Sequence, residues 1–277
     1  MTPDFPARLA RSVESLKGQT DLRPDLAIIA GTGLGSLLDA IEDAERIPYP
    51  RISGFPHSTA PGHRGDLVLG RLRGRPVVAM DGRFHAYEGW GGDDIVLPIH
   101  ALRALGVKRL VVTNCAGGLN PDFPVPAVML IEDHVNLTGL HPLSGPNDPR
   151  LGLRFPDLSR AYDPGLREAA LSAAATLGLT LERGIYIGCH GPELETNAER
   201  RFMRLIGGDA VGMSTVLEVI AANHAGIRVL GLSAIANGAT GGPDQAPDTV
   251  EAIIEATGRI AGRLQALIIA MLDRGDL

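Results

Sequence analysis

Runs of consecutive apolar residues alternate along the chain with stretches whose apolar positions have helical spacing. Residues 26–30 are wholly apolar and end at a glycine turn, the pattern of a buried strand, and residues 7–17 before them have the spacing of an amphipathic helix. The same reasoning predicts strands at 67–72, 76–80, 109–114, 128–131, 184–189, 210–213 and 228–236, and helices at 95–105, 163–177, 196–206, 215–224 and 249–273.

This alternation of strands and helices predicts an α/β sandwich with a mixed, mostly parallel central sheet flanked by helices. Arg73-Gly74 is expected to join a hairpin, residues 116–118 to form a turn, and residues 138–160, which are rich in Pro, Gly and Asp, to form a long loop. No linker, repeat or low-complexity tract divides the chain, so residues 1–277 are predicted to form a single domain.

Composition narrows the class of protein. Hydrophobic residues make up 44% and charged residues 21% of the chain, which excludes a disordered or fibrous protein, and the net charge of −6 argues against nucleic-acid binding. No apolar stretch is long enough to predict a membrane span, and the N-terminal segment lacks the apolar core of a signal peptide. Two cysteines are too few for a disulfide framework, which fits a reducing compartment. Together these observations predict a cytoplasmic location.

Polar and glycine-rich clusters follow six of the predicted strands. They occupy residues 31–35, 81–89, 114–118, 190–196, 212–215 and 237–242. Ligands of open α/β sheets bind beyond the carboxyl ends of the strands, so these clusters are expected to converge on one binding site. Glycine, at 35 of 277 residues, is about twice as frequent as usual, which fits loops that lie close to a ligand.

Three of these clusters contain groups suited to binding a phosphate, although each also has a plain structural interpretation. Backbone N–H groups of 31–35 can cradle an oxyanion, but this loop matches neither G-x-G-x-x-G nor a P-loop and can be a simple strand-to-helix turn. Arg83 offers a planar fork to two oxygens and His85 a donor, yet a surface arginine and a loop histidine are equally compatible with the pattern; His63 is a similar candidate. Ser214 can bind an oxyanion or cap the helix that follows it.

Two side chains have the chemistry to bind a planar heterocycle. Glu195 can accept hydrogen bonds from a ring, or it can be a favourable carboxylate in the first turn of a helix. Asn237 presents a donor and an acceptor together, which suits a purine edge, although Asn237-Gly238 is also a common turn. The spacing of Cys115 and His190 matches no metal site, and no G-x-S-x-G elbow indicates a serine hydrolase, so no metal is predicted.

Taken together, the blocks resemble the trimeric family of purine nucleoside phosphorylases. The similarity extends over residues 26–237 and includes GTGLG, FPHSTAPGHRGDLVLGRL, DGRFHAYEGW, VVTNCAGGLNPDF, GPELETNAE, DAVGMSTVLEVIAA and LSAIAN. The related methylthioadenosine phosphorylases resemble these blocks less. The resemblance implies phosphorolysis of purine nucleosides, with inosine and guanosine preferred, to the free base and ribose 1-phosphate.

The resemblance also implies roles for individual residues. It assigns catalysis to His85, Glu195 and Asn237; phosphate binding to Thr32, His63, Arg83, His85, Cys115 (through its backbone) and Ser214; and nucleoside binding to Tyr87, Phe155, Tyr186, Leu194, Glu195, Met213 and Asn237. Phe155 would reach into the site of a neighbouring subunit, which implies a homo-oligomer, expected to be a homotrimer. Inorganic phosphate would be a co-substrate, and no cofactor is expected.

The chain departs from the family pattern at several positions. Thr32 replaces a common Ser, Cys115 a small residue such as Ala, and Leu194 an aromatic residue frequent in animal members; residues 246–251 lack the His that meets the ribose 5′-hydroxyl in those members. Because this His is missing, a 5′-methylthioadenosine or 5′-methylthioinosine phosphorylase is an alternative interpretation of the sequence. A non-catalytic nucleoside-binding protein and a phosphate-independent hydrolase are further alternatives.

Overall fold

The computed structural model describes residues 1–243, 245 and 247–277. The helices are α1 (Phe5–Lys17), α2 (Gly92–Leu105), α3 (Pro164–Thr176), α4 (Asn197–Leu205), α5 (Val216–His224) and α6 (Val250–Asp273). The strands are β1 (Leu26–Ala30), β2 (Glu42–Pro48), β3 (Asp66–Leu72), β4 (Arg75–Asp81), β5 (Arg109–Gly118), β6 (Ala127–Asn136), β7 (Glu182–Gly188), β8 (Ala210–Gly212) and β9 (Arg228–Gly238). Short 3₁₀ helices occupy Gly35–Ala40, Tyr49–Arg51 and Ala86–Glu88.

The strands of the described residues form one mixed sheet in the order β2-β3-β4-β1-β5-β8-β7-β6-β9. Because β9 pairs with both β6 and β5, the five strands from β5 to β9 close on themselves, and β1, β4, β3 and β2 extend outward from β5. The pairs β1–β4, β1–β5, β5–β9, β6–β7 and β7–β8 are parallel. The predicted α/β fold with a mixed central sheet is confirmed; its partial closure was not predicted.

Helices cover both faces of the sheet. Apolar side chains of α1, α2 and α5 pack in one buried layer, and those of α3 and α6 pack in a second layer on the opposite face. Along α6 the predicted apolar stripe is buried from Ile260 to Met271, but its first turn is not, and Val250 is 51% exposed. No helix in the described part of the chain combines the length and apolarity that a membrane crossing requires.

Residues 116–118, predicted to form a turn, and Asn237-Gly238, a pair that is common in turns, both lie in strands. Residues 116–118 continue β5, where Gly117 pairs with Asn237 and Gly118 with Gly238 of β9. Glycine makes this pairing possible, because a Cβ at Gly117 would lie 2.9 Å from the Cβ of Ala239. The glycines that suggested a turn therefore serve close packing of two strands.

The strand β2 was missed, and β6 was predicted too short. The edge strand β2 is mostly exposed and charged, so it lacks the apolar alternation that would identify it. β6 extends beyond Ile131 to Asn136, through residues that are partly buried or exposed. The hairpin turn was placed correctly: Arg73 and Gly74 both have positive φ, at 53° and 74°, as a two-residue turn of this hand requires.

Candidate functional site

A cavity of about 190 Å³ lies beyond the carboxyl ends of β1, β4, β5 and β9. Its walls come from all six predicted polar clusters, which confirms that they converge. The predicted site residues that line it are Thr32, Arg83, His85, Tyr87, Cys115, Leu194, Glu195, Met213, Ser214 and Asn237. Asn114, Arg200, Val250 and Ile253 also line it, although the sequence did not single them out.

Arg83 is a buried cation at the base of this cavity and not a surface arginine. Its side chain is 1% exposed, and Nη1 donates to Ser214 Oγ at 2.7 Å while Nη2 donates to the Thr113 carbonyl oxygen at 2.5 Å. Nε lies 3.5 Å from Glu218 Oε1, and this buried carboxylate partly balances the charge. The guanidinium is thus fixed in orientation beside a hydroxyl that faces the cavity.

Thr215, and not Ser214, is the N-cap of α5, which corrects the structural interpretation of Ser214. Thr215 has a φ of 70°, unusual for a β-branched residue, and its N–H donates to Glu218 Oε2 at 2.9 Å. Its hydroxyl accepts from Arg83 at 3.2 Å and from Asn114 Nδ2 at 2.9 Å. These contacts stabilise the strained turn that leaves Ser214 outside the helix and on the cavity wall.

His85 is oriented by a carboxylate. Its Nδ1 lies 2.8 Å from Glu88 Oε2. Burial by itself raises the pKa of Glu88, but hydrogen bonds from His85 and Thr59 outweigh this effect and lower it to about 2. Because an ionised carboxylate only accepts, Nδ1 carries the hydrogen in this contact, and Nε2 is left for a ligand.

His63 lies behind the cavity wall. Its ring stacks on that of His85, with 5.2 Å between centroids, and its Nε2 lies 3.2 Å from Thr32 Oγ1. Burial, with the nearby His85 and Arg83, lowers the pKa of His63 to about 3, so it is neutral near pH 7. The structure therefore places His63 in contact with the Thr32 side chain but not in the cavity wall.

Glu195 and Asn237 form the second polar part of the cavity. Glu195 precedes α4, and Nε of Arg200 lies 3.8 Å from its Oε2. Burial raises the pKa of Glu195, and the charge of Arg200 opposes that effect. Asn237 lies near the end of β9, where its amide is 3.5–3.6 Å from the position a Cβ would take on Gly117.

Cys115 contributes a neutral thiol to the cavity. Its Sγ accepts a hydrogen bond from Thr257 Oγ1 of α6 at 2.9 Å, and burial raises the thiol pKa to about 11. A thiol with that pKa is not a nucleophile near neutral pH. Within the described residues, no group of three or more His, Cys, Asp and Glu side chains could hold a metal ion.

Two predicted nucleoside contacts lie outside this cavity. Tyr186 is fully buried behind Gly212, and its hydroxyl oxygen accepts a long hydrogen bond of 3.4 Å from the Ser214 N–H. Phe155 is 85% exposed on the long loop between β6 and α3. Of the lining residues that were missed, Asn114 belongs to a recognised polar cluster, whereas Arg200 lies in a charged run that gave no signal. Ala246, in the segment that lacks the expected His, lies outside the described residues.

Comparison with known proteins identifies the family. A sequence profile described as the phosphorylase superfamily matches residues 25–273. Purine nucleoside phosphorylase 1 of Geobacillus stearothermophilus is 49% identical over 252 residues, covering 91% of this chain and 92% of the relative. Purine nucleoside phosphorylase of Bos taurus is 50% identical over 227 residues, covering 80% and 78% of the two chains.

A solved structure has the same fold. The purine nucleoside phosphorylase of Schistosoma mansoni in complex with inosine superposes with a TM-score of 0.91 at 36% identity, covering 96% of this chain and 95% of that one. Sequence and structure therefore agree, and the chain belongs to the phosphorylase superfamily as a member of the purine nucleoside phosphorylase family.

Proposed function

We propose that this protein catalyses the reversible phosphorolysis of purine nucleosides, with 6-oxopurines preferred, to the free base and ribose 1-phosphate. The main observation behind the proposal is that one cavity contains two sets of polar side chains. A buried cation with hydroxyls and a histidine suits phosphate, and Glu195 with Asn237 suits a purine. The Schistosoma mansoni relative, which shares the fold, binds inosine.

The phosphate would lie against Arg83, Ser214, Thr32 and His85, with backbone N–H groups near Cys115. The Arg83 guanidinium meets the Ser214 hydroxyl at 2.7 Å, so both groups are already positioned when the anion arrives. A dianion can bind to this acidic protein because the positive charge is local and buried. His63 acts on phosphate through Thr32.

The purine would be held by Glu195 and Asn237. Cleavage of the glycosidic bond builds positive charge on the ribose and negative charge on the purine, while phosphate attacks the anomeric carbon. An amide donor from Asn237 at purine N7 stabilises the departing base, and Glu195 accepts from N1–H of a 6-oxopurine. Because phosphate is itself the nucleophile, the proposed reaction needs no cofactor.

The complete site is proposed to require a neighbouring subunit in a homotrimer. Leu153 and Phe155 are 74% and 85% exposed on one loop, and such apolar side chains are suited to an interface between copies. Tyr87, Met213 and Leu194 would contact the sugar and base within one subunit, with Phe155 supplied by the other. A role in purine salvage in the cytoplasm is part of this proposal, and the free Cys115 and Cys189 fit a reducing compartment.

A second candidate substrate class is the 5′-methylthio purine nucleosides. Val250 and Ile253 of α6 place two apolar side chains on the cavity wall, and apolar groups suit a methylthio substituent better than a hydroxyl. A direct comparison of inosine with 5′-methylthioinosine decides which substrate the site prefers.

The proposed reaction is tested by base release from inosine with and without phosphate, with adenosine and 5′-methylthioinosine in parallel. Release from inosine that requires phosphate is the expected result. Phosphate-independent release would make the protein a hydrolase, and binding without release would make it a nucleoside-binding protein. A large preference for the methylthio substrate would replace the primary proposal by the second candidate.

A further inference from the structure

Arg200 of α4 is a buried cation shared by two carboxylates. Its side chain is 6% exposed and lines the cavity. Nη2 donates to Asp248 Oδ2 at 2.8 Å, and Nε lies 3.8 Å from Glu195 Oε2. Among the residues that the structure describes, Nε has no hydrogen-bond acceptor. A buried donor is therefore left beside the carboxylate assigned to the purine.

The charges around Glu195 make the ionisation of its carboxyl group sensitive to Arg200. Burial disfavours ionisation of Glu195 most, and the negative charges of Glu199 in α4 and Asp248 before α6 act in the same direction. The Cys189 thiol, which follows β7, is neutral. A backbone hydrogen bond to the Glu195 carboxylate and the positive charge of Arg200 oppose these effects. A cation within about 4–6 Å lowers a carboxyl pKa by about 1–3 units.

We propose that Arg200 is a positioning residue for substrate binding, which holds Glu195 as an oriented carboxylate for the purine N1–H while Asp248 competes for the same guanidinium. The inference rests on the proposed function, because it assumes that Glu195 contacts the base. In this arrangement Arg200 affects the binding of the substrate by acting on Glu195. Asp248 limits that effect by holding Nη2 away from Glu195.

A neighbouring arginine separates this role from simple anchoring. Arg201 donates from Nη1 to the Gly241 carbonyl oxygen at 2.7 Å, so Arg200 and Arg201 both tie α4 to the segment between β9 and α6. Arg200 also lies beside Glu195. Replacing either arginine therefore removes a contact between α4 and this segment. Only replacement of Arg200 also removes a positive charge from beside Glu195.

The test is the pH dependence of kcat/KM for inosine at saturating phosphate in Arg200→Met, Arg200→Lys, Asp248→Asn and Arg201→Met. An ionised Glu195 accepts from N1–H more strongly than a protonated one, so activity should fall as pH falls through its pKa. Arg200→Met should move this acid limb up by about one pH unit. Asp248→Asn should move it down, since it removes a negative charge and frees the guanidinium. Arg200→Lys should restore most of the wild-type position, and Arg201→Met should leave the limb in place.

The opposite shifts of Arg200→Met and Asp248→Asn are decisive. If both limbs move in the same direction, or neither moves, Arg200 only anchors the segment and the inference is overturned. Should Arg200→Met not fold, the comparison is between Asp248→Asn, in which the limb should move down, and Arg200→Lys, in which it should stay close to the wild-type position. Hypoxanthine affinity, measured by calorimetry over the same pH range, gives a readout that does not need turnover. If the wild-type protein catalyses phosphorolysis but no variant shifts the acid limb, only this inference is refuted. If the protein neither cleaves inosine nor binds hypoxanthine, the proposed function is refuted as well.

Discussion

Arg83 is held in place by protein groups before any ligand binds. Ser214, Thr215 and the Thr113 carbonyl accept hydrogen bonds from its guanidinium, and Glu218 lies close to Nε. This network fixes the direction of the charge. It also makes the site sensitive to any substitution that leaves Glu218 buried without its cation.

Arg83→Lys should raise KM for phosphate by about 10- to 100-fold, the value of a charge-assisted hydrogen bond, and KM for inosine only slightly. Lysine keeps the charge beside Glu218 but loses the planar fork. Arg83→Ala should weaken phosphate binding further and also destabilise the fold. Initial rates with each substrate varied in turn provide the measurement, and equal effects on both KM values would contradict a phosphate role.

Asn237→Asp should raise activity on adenosine relative to inosine, because a carboxylate can accept from a 6-amino group whereas an amide can donate to a 6-oxo group. Asn237→Leu is the matched control: it removes the polar group, so both substrates should lose activity without a change of preference. The ratio of kcat/KM values for the two nucleosides is measured in each variant. An unchanged ratio in Asn237→Asp would refute the assignment.

Among the elements, α3 shows how a single side chain can fix the start of a helix. Asp163 accepts from the Leu166 N–H at 2.9 Å, as its place before Pro164 predicts. It also pairs with Arg228 of β9 at 2.7 Å, and this arginine is half-exposed. The hydrogen bonds from Arg228, with the cap and despite some burial, lower the pKa of Asp163.

Asp163→Ala should reduce the free energy of unfolding by about 1–2 kcal/mol, mainly through the lost cap. Asp163→Asn keeps an acceptor for the cap and loses only the exposed ion pair, so its cost should stay below about 1 kcal/mol. Urea unfolding at pH 7 measures both values. Equal losses in the two variants would show that the ion pair, and not the cap, carries the stability.

The helices α2 and α5, which cover one face of the sheet, each contain a buried histidine. His100 and His224 are 3% and 5% exposed, and their rings meet edge to face at 5.6 Å. His100 Nε2 and both His224 nitrogens have no hydrogen-bond partner within the described part of the chain. Burial, with the charge of His224, lowers the pKa of His100 to about 4.

The fold should therefore lose stability in acid through His100. Its pKa in the unfolded chain is near 6.5, so below that pH the unfolded state gains protons first, and the loss is complete near pH 4. The full effect is about 3 kcal/mol at about 1.4 kcal/mol per pKa unit. Urea unfolding of the wild type and of His100→Leu at pH 7.5 and 4.5 should show a smaller acid loss in the variant. His57→Leu, at an exposed histidine, is the control, and identical acid losses in wild type and His100→Leu would contradict the explanation.

Local patterns in the amino-acid sequence were enough to predict the alternation of strands and helices, the polar clusters at strand ends and most residues of the cavity. Apolar runs must be buried, and polar residues at the carboxyl ends of parallel strands share one edge, so local patterns carry that information. The Asp163 cap and the Arg73-Gly74 hairpin follow for the same local reason.

Local patterns could not predict the closure of the sheet by β9, the strand pairing of residues 116–118 or the burial of Arg83 and Arg200. Each depends on partners distant in the chain: Gly117 pairs with Asn237, Arg83 meets Ser214, and Arg200 meets Asp248. A charged run such as that of α4 gives the same local pattern whether it faces solvent or a buried carboxylate. Only packing against a second segment distinguishes the two, because burial is a property of both surfaces together.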